Sequence, residues 1–255
     1  MTRTTRNIAP TETGERLLRT VGPHFAQIDV ELAALSELRE KPAGTIRVMA
    51  SEHAAEAILW PALAKLLPEY PNIAVELIID YGLIDITTVR YDCSIRLGER
   101  VAKDMIAVPI GPEMRMAVVG APCYFATRPR PRPQKPQDLT AHHCINLCMP
   151  IYDGFYTWEF EKRGQALKVQ VEGQLVFNNI ALSLNAAVAG FGLAYLPEDQ
   201  VQSHLADGQL IRVLADWCPT FSGYHLYYPS RRQSTRAFGL LVKALRFGPE
   251  NRNHP

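Results

Sequence analysis

The strongest constraint on the fold is an alternation in the first third of the chain. Residues 45–50 are a short apolar run rich in branched side chains. Residues 54–67 place apolar side chains at helical spacing, and residues 74–79 are a second branched run. Parallel strands need a crossover, which is usually a helix, so strand–helix–strand predicts a parallel sheet with helices on its faces. The punctuation agrees. Ser51, Glu52 and His53 open the helix with a cap-type residue and a carboxylate at its positive end. Tyr70, Pro71 and Asn72 supply the turn before the next strand. A third strand is predicted at residues 92–96, running out through Leu97 and Gly98. Two more short strands follow at 105–109 and 115–119.

The second half predicts another lobe of the same class. After a helical turn at residues 122–126, prolines alternate with basic residues through 128–136. That pattern forbids helix and central strand and predicts an extended surface loop. Beyond it come a strand at 143–147 and a hairpin of 157–161 with 168–172 around Gly164. A strand at 175–177 precedes Asn178 and Asn179, which open a helix over 180–189 that stops at Gly190. A strand at 193–196 leads to Pro197 and a short helix, then a strand at 224–228. The last helix, 231–247, carries one apolar stripe of Phe238, Leu241, Val242 and Leu245.

The N-terminus has a different period. Leu18, Val21, Phe25, Ile28, Leu32 and Leu35 are spaced 3, 4, 3, 4, 3, which draws one apolar seam along a helix. Such a seam suits pairing with a second helix and equally suits packing on the chain's own body. Pro10 and Thr11 mark the helix start, Pro23 predicts a kink within it, and Pro42 to Gly44 end it.

Composition removes several classes. The formal net charge of the 255 residues is +1, so nucleic-acid contact over the whole surface is not expected. No run of eighteen apolar residues predicts a membrane helix. No basic-then-apolar start with a cleavage site is present, so the expected compartment is the cytoplasm. Five cysteines, an odd count, agree with reduced thiols. His142, His143, Cys144 and Cys148 lack a second pair at zinc spacing, so no metal is expected. Neither a Gly-rich phosphate loop nor a nucleophile–base pairing appears, and no cofactor or enzymatic activity is predicted.

Several segments, in order, carry a family resemblance. Residues 3–18 match the end of a winged helix-turn-helix and the start of a linker helix. Residues 44–48 match a first effector-domain strand, and residues 95–98, 136–139, 142–145 and 186–197 match segments of its body. Residues 228–232 with Phe238 match the closing strand and helix. The chain resembles a LysR-type transcriptional regulator over nearly its whole length.

The resemblance implies an α/β fold of two Rossmann-like lobes, as in type 2 periplasmic binding proteins, preceded by an N-terminal linker helix. A small effector would bind between the lobes and alter a homodimer or homotetramer. Residues 1–10 would be a remnant of the DNA-binding wing, with Arg3, Thr4, Thr5 and Arg6 near the DNA backbone. DNA reading would need a helix-turn-helix outside this sequence. Residues 11–42 would form the dimerisation helix, and 45–119 with 223–247 the first lobe. Residues 120–222 would form the second lobe, and 248–255 a tail. A stand-alone solute-binding protein of the same fold is the alternative, disfavoured by the N-terminal heptad and the missing signal segment.

The expected effector contacts follow from helix starts. Free N–H groups and the helix dipole attract polar and anionic groups at the carboxyl ends of strands. Ser51, Glu52 and His53 stand at one such start and Asn178 and Asn179 at the other. The same residue types also act simply as caps. Arg96, Leu97 and Gly98 would line the first wall, and Tyr152, Phe155 and Trp158 an apolar rim. Glu52 disfavours an anionic ligand unless Arg96 or His53 offsets it, which favours a neutral or mixed-charge molecule.

Overall fold

The computed structural model describes residues 2–4, 7–9, 11–17, 20–22, 24, 25, 27, 42–80, 91–98, 105–127, 131–148, 155–229 and 235–247. At the N-terminus, β1 (Thr2–Thr4) and β2 (Asn7–Ala9) pair antiparallel, with Thr2 opposite Ala9. Helical residues 12–17, 20–22, 24, 25 and 27 follow as α1. Thr11 caps it, its Oγ1 accepting from the Gly14 N–H at 3.3 Å. Of the heptad seam, Val21 is half-buried and Phe25 is 62% exposed. Leu18, Ile28, Leu32 and Leu35 lie outside the described residues. Arg3 and Thr4 lie on β1, and Thr5 and Arg6 lie outside the described residues.

The first lobe is a five-stranded sheet. Its strands are β3 (Gly44–Ala50), β4 (Ile73–Ile79), β5 (Cys93–Leu97), β6 (Met105–Pro109) and the late strand β15 (Tyr224–Pro229), in the order β4-β3-β5-β15-β6. β3 runs parallel to β4 and β5, as the alternation predicts, and β15 runs antiparallel to both neighbours. The crossover from β3 to β4 is one continuous helix in three registers. These are α2 (Glu52–Ala54), a π-helical turn (Ala55–Leu59) and α3 (Trp60–Glu69). Pro61 has no N–H for the i→i−4 ladder, and the wide turn sits directly before it. Val48, Ile95 and Leu226 on the sheet pack with Leu59 and Leu63 from this helix. Phe238, Leu241 and Leu245 from α7 (Arg236–Leu245) complete that core. Burying each such side chain stabilises the lobe by about 1.5–3 kcal/mol.

The second lobe is built around β7 (Met114–Gly120). The one-turn helix α4 (Pro122–Ala126) and a 3₁₀ turn (Pro136–Ala141) lead to β8 (Asn146–Leu147). A hairpin follows, of β9 (Trp158–Lys162) and β10 (Gln165–Val169). Arg163 and Gly164 make its turn with φ of 55° and 79°, the left-handed pair that two-residue hairpins favour. Then come β11 (Val176–Phe177), α5 (Ile180–Val188), β12 (Ala194–Pro197), α6 (Glu198–Ala206), β13 (Ile211–Val213) and a 3₁₀ turn (Ala215–Trp217). β12 and β13 flank β7 antiparallel, while β8 pairs parallel with β11 and reaches β12 through the Cys144–Leu193 bridge. Both faces are buried. Trp158, Phe160, Tyr124 and Leu139 fill one, and Ala187, Leu196, Val201 and Leu210 the other.

The place where the chain changes lobes differs from expectation. The resemblance puts the lobe boundary after residue 119, but residues 120–122 are the turn from β7 into α4 within the second lobe. The crossing falls between β6 and β7, at residues 110–113. The return passes through β14 (Thr220–Phe221), which pairs with the start of β7, Phe221 opposite Met114. Gly223 is fixed by this approach, since a Cβ there would lie 1.9 Å from the Pro112 carbonyl oxygen. The last helix begins at Arg236, where the Thr235 Oγ1 accepts from the Phe238 N–H at 3.3 Å. The tail, 248–255, lies outside the described residues.

Candidate functional site between the lobes

One turn of helix in the first lobe reaches two helix starts in the second. Ser51 leaves β3 in extended conformation and caps α2, its Oγ accepting from the Ala54 N–H at 3.4 Å. The next two side chains cross the seam. Asn179 caps α5, its Oδ1 accepting from the Leu182 N–H at 2.7 Å. That bond fixes the amide so that Nδ2 donates to Glu52 Oε1 at 2.6 Å. The Ile180 N–H, which has no acceptor within its own helix, donates to Glu52 Oε2 at 3.4 Å.

His53 makes the second crossing. It is 4% exposed, with Nε2 2.8 Å from Asp199 Oδ2 and Nδ1 3.1 Å from the Tyr224 hydroxyl. The tautomer with its proton on Nε2 satisfies the whole chain of bonds. Ser51 Oγ donates to the Tyr224 hydroxyl at 3.4 Å, that hydroxyl donates to His53 Nδ1, and Nε2–H donates to Asp199. Asp199 lies in the first turn of α6, where the dipole favours a carboxylate. Burial acts to raise the Asp199 carboxyl. The His53 hydrogen bond, with the backbone N–H groups of Gln200 and Asp199, outweighs it and holds the group below its ordinary value. Burial pushes the Tyr224 phenol up to about 12.

A cavity of about 430 Å³ opens beside His53, between the π-helical turn, the crossing strands and α6. Ile58 and Met114 form its apolar side, and Glu113, Arg115, Asp199 and Gln202 its polar side. Arg115 is committed to the protein, donating to the Cys218 and Ala215 carbonyl oxygens at 2.5 and 2.6 Å. Glu198 pairs with Arg212. Glu113 stands exposed.

The structure thus places Ser51, Glu52, His53 and Asn179 at the seam in two sets of bonds, Glu52 with Asn179 and Ser51 with Tyr224, His53 and Asp199, and places the other candidates elsewhere. Asn178 is exposed. Arg96 lies on β5 with Nη2 3.6 Å from Met49 Sδ. Burial pulls its guanidinium down, and Asp80 and Tyr227 act against that. Gly98 turns at φ 97°, and its carbonyl accepts from the Tyr227 hydroxyl. Leu97 and Phe155 are 47% and 44% exposed. Tyr152 lies outside the described residues. Trp158, weighed as part of an apolar rim, is 1% exposed and stacks on Tyr195 inside the second lobe. Asn179 and Ile180 bond the Glu52 carboxylate. Sequence reasoning missed Asp199, Tyr224 and Glu113. Only Asp199 left a signal, an acidic residue just after a strand and a proline.

Comparison with known proteins follows the same architecture. Residues 39–247 match the LysR substrate binding domain family. A putative transcriptional regulator from Pseudomonas aeruginosa PAO1 is 51% identical over 97% of this chain and 80% of its own length. The HTH-type transcriptional regulator PgrR of Escherichia coli K12 is 45% identical over 97% of this chain and 82% of its own. Among solved structures, the full-length Vibrio cholerae virulence activator AphB, a member of the LTTR protein family, superposes with a TM-score of 0.72 at 21% identity. That match covers 96% of this chain and 82% of AphB. The AphB regulatory domain of Vibrio vulnificus gives 0.67 at 21% identity, over 80% of this chain and 98% of that domain.

Proposed function

We propose that this chain, which belongs to the LysR-type transcriptional regulators, binds a small effector in the seam between its two lobes and passes the change to its oligomer. The observation that carries this reading is the reach of residues 52 and 53 across the seam to the starts of α5 and α6. A ligand entering there exchanges hydrogen bonds with Glu52, His53, Asn179 and Asp199, so it biases how the lobes stand about the crossing strands. The cavity beside His53 offers room for a small molecule.

The oligomer in this reading is a homodimer or homotetramer, and the complete regulator acts on DNA. Two apolar features support self-association. Phe25 leaves a seam residue of α1 open, and the edge strand β4 exposes Leu77, Ile78 and Ile79 at 37%, 44% and 48%. None of the described helices is long and apolar enough to cross a membrane. A thermal-shift screen of amines, amides, sugars and carboxylates tests the effector site. A compound that raises the midpoint of the native protein and loses its effect in Asn179→Ala and His53→Ala supports the reading. A hit that keeps its effect in both variants, or a panel without any hit, contradicts it.

A further inference from the structure

The start of α5 carries what an anion site needs, a fixed side-chain amide and a free helix N–H, and it is already occupied from within the chain. Glu52 supplies the anion. Its two carboxylate oxygens take the Asn179 Nδ2 and Ile180 N–H bonds at 2.6 and 3.4 Å, and both donors belong to the opposite lobe. We propose that Glu52 is a specificity-determining residue. It fills the carboxylate position of the cleft, bars anionic molecules from it, and leaves the cleft to ligands that donate hydrogen bonds, such as ammonium, amide or hydroxyl groups.

The cavity beside His53 also carries carboxylates. Glu113, Glu198 and Asp199 lie on its wall. Glu198 is paired with Arg212 and Asp199 is bonded to His53, and Arg115 on the same wall keeps its positive charge while donating to two backbone carbonyls. A carboxylate ligand at the start of α5 would meet the Glu52 charge. It would also have to break the 2.6 Å bond that Glu52 makes with Asn179. A protonated amine there would meet attraction from the Glu52 carboxylate.

The proposal rests on the reading of the seam as the effector cleft, and its test uses acetate in place of any effector, so the two can fail separately. Glu52→Ala vacates the position at α5, and Glu52→Gln keeps the side-chain volume while removing the charge. Thermal midpoints of the full chain and both variants are titrated with sodium acetate against sodium chloride at matched ionic strength. Acetate is expected to act at least ~10-fold more tightly on Glu52→Ala than on the native chain, with Glu52→Gln between them. The gain should vanish in Glu52→Ala/Asn179→Ala, which removes the receiving amide. Equal acetate responses in all three proteins would overturn the proposal, as would an acetate gain that survives in the double variant. If Glu52→Ala does not fold, Glu52→Gln against the native chain decides by the same difference.

Discussion

The two crossings of the seam use opposite chemistry. At α5, the first lobe brings the acceptor, Glu52, and the second brings the donors, Asn179 and Ile180. At α6, the first lobe brings the donor, His53, and the second the acceptor, Asp199. The settings differ too. His53 is buried and tied to Tyr224 near the crossing strands, so that contact is anchored. Glu52 extends to the start of α5 in the second lobe. In the proposed function the buried α6 contact holds the lobes in register, and the α5 contact is the one a ligand exchanges. The proposed sensor uses both properties, and two adjacent residues, Glu52 and His53, would supply them.

The largest test removes the frame that both contacts share. Gly223→Ala would drive a Cβ into the Pro112 carbonyl between the crossing strands, at a cost of about 3 kcal/mol or more in urea unfolding. Both contacts should weaken together. His53→Ala comes next, at about 2 kcal/mol, because it leaves a void and deprives the buried Tyr224 hydroxyl of a partner. Asn179→Ala should cost about 1–2 kcal/mol, by removing the α5 cap together with the bond to Glu52. Asp199→Asn should cost less than about 1 kcal/mol, because the carboxylate is 53% exposed and solvent screens it. If Asp199→Asn instead proved costlier than His53→Ala, the anchored contact would have to be reassigned to the carboxylate.

The titration of the α6 contact sharpens the same contrast. Because the folded protein holds the Asp199 carboxyl below its ordinary value, its contribution is full at neutral pH. It fades as pH falls through and below the ordinary carboxylate range of about 4. Stability measured from pH 6 to pH 3 should fall less steeply in Asp199→Asn than in the native chain. Tyr224 acts at the other limit. Its phenol is raised to about 12, so its contribution is intact below the ordinary tyrosine value and lost as pH rises through about 12.

Much of this was legible in the sequence for a local reason. The β3 strand, its crossover helix, α4 and α5 are set by periodicity and caps within a dozen residues, and they appear where the pattern places them. The lobe change was not legible. A Gly-Ala-Pro break at residues 120–122 and a Gly-Pro-Glu break at residues 111–113 look alike locally, and only the pairing of β7 with β12 and β13 separates them. In the site, Ser51, Glu52, His53 and Asn179 were visible as helix openers. Their partners Asp199 and Tyr224 lie more than 140 residues away along the chain, so no spacing rule could join them.

The central claim is that Glu52 and Asn179 bind one another across the lobes. A double-mutant cycle of Glu52→Ala and Asn179→Ala, read by urea unfolding, isolates that bond from the cap that Asn179 also provides. The bond between a carboxylate and a fixed amide predicts a coupling of about 1–2 kcal/mol. A coupling within about 0.3 kcal/mol of zero would contradict the account.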